Sequence, residues 1–324
     1  MLEEQVAALN QDFKDKLLSG DRDMVKTAGL AGTEFFRTRI RENAVYRKLL
    51  PPKAVTADNF DVLEDTDFPA IIVELDINSA GASQVNFETG PTGATFAGRK
   101  ARCEFGRIMT RKYEIDKIRL TGFKMPVLDV LYDLMLKDIM DVEDEAWAAL
   151  NNMIVGDADD QKAQFAEFGV RRAVKQPWSR EGLGNIRDGM TLTAGKLRAA
   201  KGLMNELRYS KLIQFDRTEV GGDMAQDMLI DGVTVSKLNN LDLVVTSKTE
   251  VCAKNDLWIF AEPQFYGANF TYEDVSMVTD EQDGIFLTFF AHETIGGLVT
   301  NRAGVSKVTF TDDGTSTDWE AAAE

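Results

Sequence analysis

The 324-residue chain has little of what enzymes and metal proteins are usually built on. It holds one histidine, His292, which excludes a two-histidine metal site and leaves a single imidazole for acid–base work. Its two cysteines, Cys103 and Cys252, lie far apart without metal-ligand spacing. Reduced, buried thiols and a reducing compartment are therefore expected, with no disulfide framework. No run of about 18 apolar residues occurs, so no membrane span is expected. The opening Met1-Leu2-Glu3-Glu4-Gln5 lacks the basic and then apolar profile of a secretory signal. Positive charge is scarce: 37 Lys and Arg face 53 Asp and Glu, a net charge of -16. A field of that sign repels phosphate and opposes general attachment to nucleic acid or anionic membrane.

What remains is ordinary globular material. Hydrophobic residues make up 44% and charged residues 28%, which excludes wholesale disorder, and nineteen Phe with four Trp can furnish a large core. The length allows one large domain or two modest ones. No internal repeat is present.

The order of patterns along the chain is distinctive. Leu2, Val6, Leu9, Phe13 and Leu17 follow a spacing of three and four, which predicts an amphipathic helix ended by Ser19-Gly20-Asp21. A second stretch from Thr33 carries Phe36, Ile40 and Val45 and stops at Leu49-Leu50-Pro51-Pro52. These first fifty residues read as a helical arm with too little apolar surface for a core of its own. The β-branched run Ala70 to Ile77 predicts a strand. A Gly-, Ser- and Thr-rich stretch follows from Asn78 to Gly98, and Arg99 to Arg119 then alternates through Cys103, Phe105, Ile108, Tyr113, Ile115 and Ile118. Together they predict a long two-stranded excursion with a flexible tip, a feature that usually serves function or a partner.

Next comes the clearest helix, started by Pro126, stopped by Gly156, and striped by Leu128, Leu131, Met135, Ile139, Val142, Ala146, Leu150 and Met153. Residues 157–192 are polar, with a basic knot of Arg171, Arg172 and Lys175. Thr193 can cap a further helix through Arg208, with Leu197, Ala200, Met204 and Leu207 inward. Short apolar runs close the chain: Met228 to Val235 with an Asp-Gly turn signal, Leu241–Thr246, Asp256–Ala261, Ile285–Phe290, and Leu298 through Phe310 before an acidic tail.

The chemistry-bearing residues give no active site. His292 follows Phe289-Phe290-Ala291 in an apolar strand, where a packed or interface histidine competes with a catalytic base. Neither cysteine has a nucleophile context. There is no Gly-x-Ser-x-Gly elbow, and Gly221-Gly222 and Gly296-Gly297 form no dinucleotide or Walker loop. Glu143-Asp144-Glu145 and Asp157-Ala158-Asp159-Asp160 lack calcium-loop spacing and read as solvated faces. No cofactor, metal or catalytic residue is expected.

Charge is sorted unevenly. Arg99 to Lys124 holds nine Lys and Arg against three Asp and Glu, a balance of +6, while Met125 to Asp160 holds one Lys against ten Asp and Glu, a balance of -9. Such sorting can be accidental, or it can match two surfaces that meet and so set their orientation and encounter rate.

The carboxy-terminal stretch carries a resemblance. Asp256-Leu257-Trp258-Ile259-Phe260, Tyr266-Gly267 and Tyr272-Glu273-Asp274-Val275-Ser276-Met277 lead through Ile285-Phe286-Leu287-Thr288-Phe289-Phe290 to Ile295-Gly296-Gly297-Leu298-Val299-Thr300-Asn301-Arg302-Ala303-Gly304-Val305. With the arm, the extended loop and the long helix before it, this order resembles the tailed-bacteriophage major capsid proteins with the Hong Kong 97 fold. The resemblance covers nearly the whole chain.

It implies an α+β fold with an N-terminal arm at 1–60 and a peripheral domain at 61–190. That domain would hold an extended β-hairpin loop at 78–113 and a spine helix at 125–155. An axial domain would take 191–295, and 296–324 would return a strand to the peripheral domain before the tail. It also implies a non-enzymatic subunit, self-assembling as hexamers and pentamers into an icosahedral head around double-stranded DNA without sequence-specific binding. Such a protein belongs in the virion and assembles in the host cytoplasm. Its partners would be other copies of itself, a separate scaffolding protein, and portal and decoration proteins; no membrane is involved. On this picture the candidate inter-subunit contacts are Arg99, Lys100, Arg102 and Arg107 on the loop and Asp129, Asp133, Asp141 and Glu145 on the helix. Some family members cross-link a loop Lys to a late Asn; Lys100 and Asn301 are the pair to consider, although neither sits in a matching motif. Two rivals stand beside this reading: an encapsulin-type nanocompartment shell with the same fold, and a phage head-maturation protease in which His292 would be essential.

Overall fold

The computed structural model describes residues 44–61, 67–75, 98–122, 127–156, 171–193, 196–214, 237–282 and 285–312. The amphipathic helix at 2–18, the loop tip, the Asp-Gly turn at 231–232 and the acidic tail lie outside the described residues. Two sheets and one long helix organise the rest. Helix α1 (Val45–Leu49) ends at Pro51-Pro52 and leads into the short strand β1 (Lys53–Ala54). Strands β2 (Ala70–Leu75) and β3 (Arg99–Glu104) form an antiparallel two-stranded ribbon, with Ala70 opposite Glu104 and Leu75 opposite Arg99. Strands β4 (Gly106–Met109) and β5 (Tyr113–Asp116) and helix α2 (Lys117–Gly122) follow, and then helix α3 (Val127–Val155).

Helix α3 has 29 residues and is therefore about 43 Å long. Gly156, at φ 67°, ends it in the left-handed conformation that glycine adopts without strain. The remaining strands are β6 (Ala173–Pro177), β7 (Ala199–Asn205), β8 (Lys237–Leu238), β9 (Leu241–Thr246), β10 (Asp256–Ala261), β11 (Gly267–Gln282), β12 (Phe286–Val299) and β13 (Val305–Thr311). One sheet runs β1-β11-β12-β4, with β5 also on β12; the other runs β6-β13-β10-β7-β9-β8.

Helix α3 is common to both sheets. Its first half places Leu131, Met135, Leu136 and Ile139 against Val275, Met277, Leu287 and Phe289 of the β11–β12 hairpin. Its second half places Trp147, Ala148 and Val155 with α1 and with Leu203, Trp258, Phe260 and Val305 of the six-stranded sheet. Leu257, Ile259, Met204 and Phe310 pack on that sheet's other face against Ile186 and Met190. Strand β10 is buried on both faces, which explains its unbroken apolar run.

Three expectations need correction. The stretch from Thr193 to Arg208 is not a helix: Ala199–Asn205 is strand β7, held between β10 and β9, and only Glu206–Tyr209 is helical. Leu203 and Met204 are both buried because both faces of this central strand are covered, so tertiary pairing overrode the helical spacing. Thr193 donates its hydroxyl to the Met190 carbonyl at 2.7 Å and closes the preceding turn.

Gly296 and Gly297 lie within β12. A Cβ on Gly297 would fall 2.5 Å from the Trp147 ring, and one on Gly296 would fall 3.1 Å from Cys103 Sγ, so the glycines let the helix and the ribbon base approach. The final strand β13 pairs with β10 and β6. The run from Arg99 to Arg119 is three strands and a helix, with β3 pairing β2 while β4 and β5 pair β12. The expected apolar stripe on the long helix is right from Leu131 through Ile139 and then leaves the core. Val142 is 50% exposed and Met153 82%, whereas Glu143, Asp144 and Asn151 are buried.

Candidate functional site

The ribbon is the part of the molecule with least core. Its base is fixed: Cys103 and Ala70 are buried, the Asp61 carboxylate accepts from Ile72 N at 2.6 Å, and Phe105 N donates to Pro69 O at 3.2 Å. Phe60 packs against both Phe105 and Tyr272, with ring centroids at 5.0 and 4.8 Å. Above the base, β2 and β3 pair with each other and, among the described residues, with no third strand, and Arg99, Lys100 and Arg102 are exposed. Phe68 beside it is 71% exposed. A two-stranded ribbon is marginal in water unless something covers a face.

The eight candidate contact residues fall on two separate surfaces. Arg102 forms an ion pair with Glu104 of its own strand, and Arg107, on β4, reaches Glu273 at 3.4 Å. In the strand register Lys100 stands opposite Glu74 and Arg99 opposite Leu75. On α3, Asp133 and Glu145 are exposed, and Asp141 meets Lys248 at 3.0 Å. The Asp129 side chain lies outside the described residues. Lys100 is exposed on β3, whereas the Asn301 side chain accepts from Ala303 N at 2.9 Å and caps a short turn.

The acids of Glu143-Asp144-Glu145, expected on a solvated face, separate into two environments. Glu145 is exposed, but Glu143 and Asp144 are buried and receive α1. Asp144 accepts from Tyr46 N at 3.1 Å and pairs with Lys248 at 2.6 Å. Arg47 donates Nε to Glu143 at 2.8 Å and Nη2 to Glu293 of β12 at 2.7 Å. Beside this clamp, Tyr266 Oη donates to Asn151 Oδ1 at 2.6 Å, and Asn151 Nδ2 donates to Tyr46 Oη at 3.2 Å.

Burial pushes the Glu143 carboxyl up to about 7 despite the opposing pull of Arg47, and it raises Glu293 likewise. Burial works against the Arg47 charge, yet the two carboxylates hold its guanidinium above the ordinary range. These residues were missed because hydrophobicity alone chose the helix face. One signal was present: alternation along Leu287, Phe289, Ala291 and Glu293 sets the glutamate on the inward face of β12.

His292 points the other way. Ser276 Oγ lies 3.1 Å from Nε2 and 3.4 Å from Nδ1, and Glu273 Oε1 lies 3.2 Å from Nε2. The hydroxyl straddles both ring nitrogens and is in line with neither lone pair, and the carboxylate competes for the nearer one. That is a packed cross-strand cluster, not a nucleophile and base held by a third group. Both thiols are buried and pushed up, Cys103 to about 11, which suits structural roles. Among the described residues, no group of three or more His, Cys, Asp or Glu could hold a metal ion, and no helix is long and apolar enough to cross a membrane.

No family model matches the chain, and no curated protein matches it in sequence. Solved structures do match in fold. The capsid of the cyanophage P-SCSP1u has a TM-score of 0.55 at 11% identity, covering 83% of this chain and 88% of the other. The capsid of an empty GTA particle has a TM-score of 0.53 at 11% identity, covering 83% and 90%. The mature capsid of bacteriophage PhiM1 has a TM-score of 0.53 at 9% identity, covering 83% and 88%. The chain has an α+β, Hong Kong 97-like fold in common with these capsid structures.

Proposed function

We propose that the chain is the major capsid subunit of a tailed bacteriophage, a non-enzymatic protein whose working surfaces are those that meet other copies of itself. The observation that carries this reading is whole-chain agreement with capsid subunits: 83% of this chain superimposes on 88% of the cyanophage one. The ribbon supports it independently, since β2 and β3 expose apolar and basic side chains that are left uncovered among the described residues. Hexamers and pentamers of the subunit would close into an icosahedral head around double-stranded DNA. The net charge of -16 fits enclosure of DNA better than tight attachment to it. Scaffolding, portal and decoration proteins would join the shell, assembled in the host cytoplasm. On strand pairing, the peripheral part would be α3's first half with the β11–β12 hairpin and ribbon, and the axial part the six-stranded sheet.

The inter-subunit contact we propose brings Arg99, Lys100, Arg102 and Arg107 of one copy to Asp133, Asp141 and Glu145 of the next, with Asp129 alongside. Purified, overexpressed protein should form closed particles under negative stain. Reversing Arg99, Lys100 and Arg102 to Glu should abolish those particles while costing the subunit about 1 to 2 kcal/mol, from new like-charge contacts with Glu74 and Glu104, and leaving it folded. Normal shells from the reversed protein would overturn the charge-matching contact. Failure of the unaltered chain to form any particle would overturn the capsid reading itself.

A further inference from the structure

Arg47, Glu143 and Glu293 tie three elements that are remote in sequence: α1, the middle of α3 and the inward face of β12. All three side chains are almost wholly removed from water, at 5%, 0% and 0% exposure. One guanidinium therefore faces two carboxylates, and Glu293 Oε1 is buried with no hydrogen-bond partner. Around the trio, Asp144 on α3 is matched by Lys248 from the loop after β9, which also holds Asp141. From β11, Asp274 adds a further negative influence on Glu293. Tyr46 and Cys252, whose ionisation burial pushes upward, remain neutral neighbours. The enclosed charge is thus one negative unit in excess when both glutamates ionise. An uncompensated buried charge is costly, and a carboxyl in that position keeps its proton instead.

We infer that this clamp is a pH-gated latch on α1: closed while Glu143 and Glu293 share one proton, and loosened when that proton leaves. The clamp holds α1 to both α3 and β12, so the latch controls how firmly residues 45–50 are seated on them. The direction follows from the raised Glu143, at about 7, against an open-state carboxyl near its ordinary 4.5. Between those values the closed form binds the proton and the open form does not. Rising pH therefore favours opening, and the effect is complete above about pH 7. The inference rests on the clamp's geometry and holds whether or not the chain builds shells.

The test is hydrogen exchange of the full-length chain across a pH series, corrected for intrinsic rates, with the assembly state checked by sedimentation at each pH. Protection of the amides at 45–50, including Leu50 N bonded to Tyr46 O, should fall toward tenfold per pH unit up to about pH 7 and then level off. Amides of β10 serve as the reference and should show no such slope. Glu143→Gln, a neutral isostere that leaves Arg47 with one carboxylate, should flatten the profile. Glu293→Gln should do the same if the first variant does not fold. A flat wild-type profile overturns the latch, as does protection that rises with pH or a slope that survives both substitutions.

Discussion

The two halves of α3 lie on one continuous helix, yet they are held by different physics. Residues 131–140 sink Leu, Met and Ile into the β11–β12 hairpin, a seat that is non-directional and tolerant of reshaping. Residues 143–151 seat Glu143, Asp144 and Asn151, each of which needs a particular donor from α1, Lys248 or Tyr266. The first half would find its place against any apolar surface of suitable shape. The second half recognises one partner segment and only one register, because a buried carboxylate without its cation is expensive. The helix thus combines adhesion at one end with specificity at the other.

That contrast can be broken most sharply at Arg47. Arg47→Met leaves the two buried glutamates without their cation, and we expect a loss of roughly 3 to 5 kcal/mol, read from urea unfolding midpoints below the Glu143 value of about 7, where the clamp is closed. The combined change of Arg47, Glu143 and Glu293 to apolar residues of similar volume should recover most of that loss; if it does not, the ionic half carries more than mutual compensation. In the apolar half, Met135→Ala should cost about 3 kcal/mol, through lost burial and a residual cavity. The smallest effect belongs to Val142, which hydrophobicity assigned to the core and the fold exposes. Val142→Ser should change stability by no more than about 0.5 kcal/mol, and a loss as large as that at Met135 would restore the stripe read from sequence.

Val142 also marks where legibility stopped. The long helix, its glycine stop, the strands at 70–75, 241–246 and 256–261, and the exposed basic strand at 99–102 were all readable, because periodicity and composition report local preference and solvent exposure directly. Strand β7 was not, because both its faces are buried, Leu203 in one core and Met204 in the other, which erases the alternation that betrays a strand. The Asn239-Asn240 turn between β8 and β9, with φ of 50° and 62°, was missed although an Asn pair tolerates that conformation well. The clamp was missed because Glu143 and Asp144 look like any solvated acids until Arg47 is brought across from 96 residues away.

By itself, then, the sequence determined the inventory: one histidine and two isolated thiols with no site around them, an acidic chain with one basic strand, and a helix long enough to span two cores. Only the tertiary structure decided which acids are buried, which glycines admit Trp147 and Cys103, and to which sheet the last strand belongs. Local pattern encodes whether a residue prefers water. Whether a charged residue can do without water depends on a partner supplied from elsewhere in the chain, and pairing of that kind is a property of the fold alone.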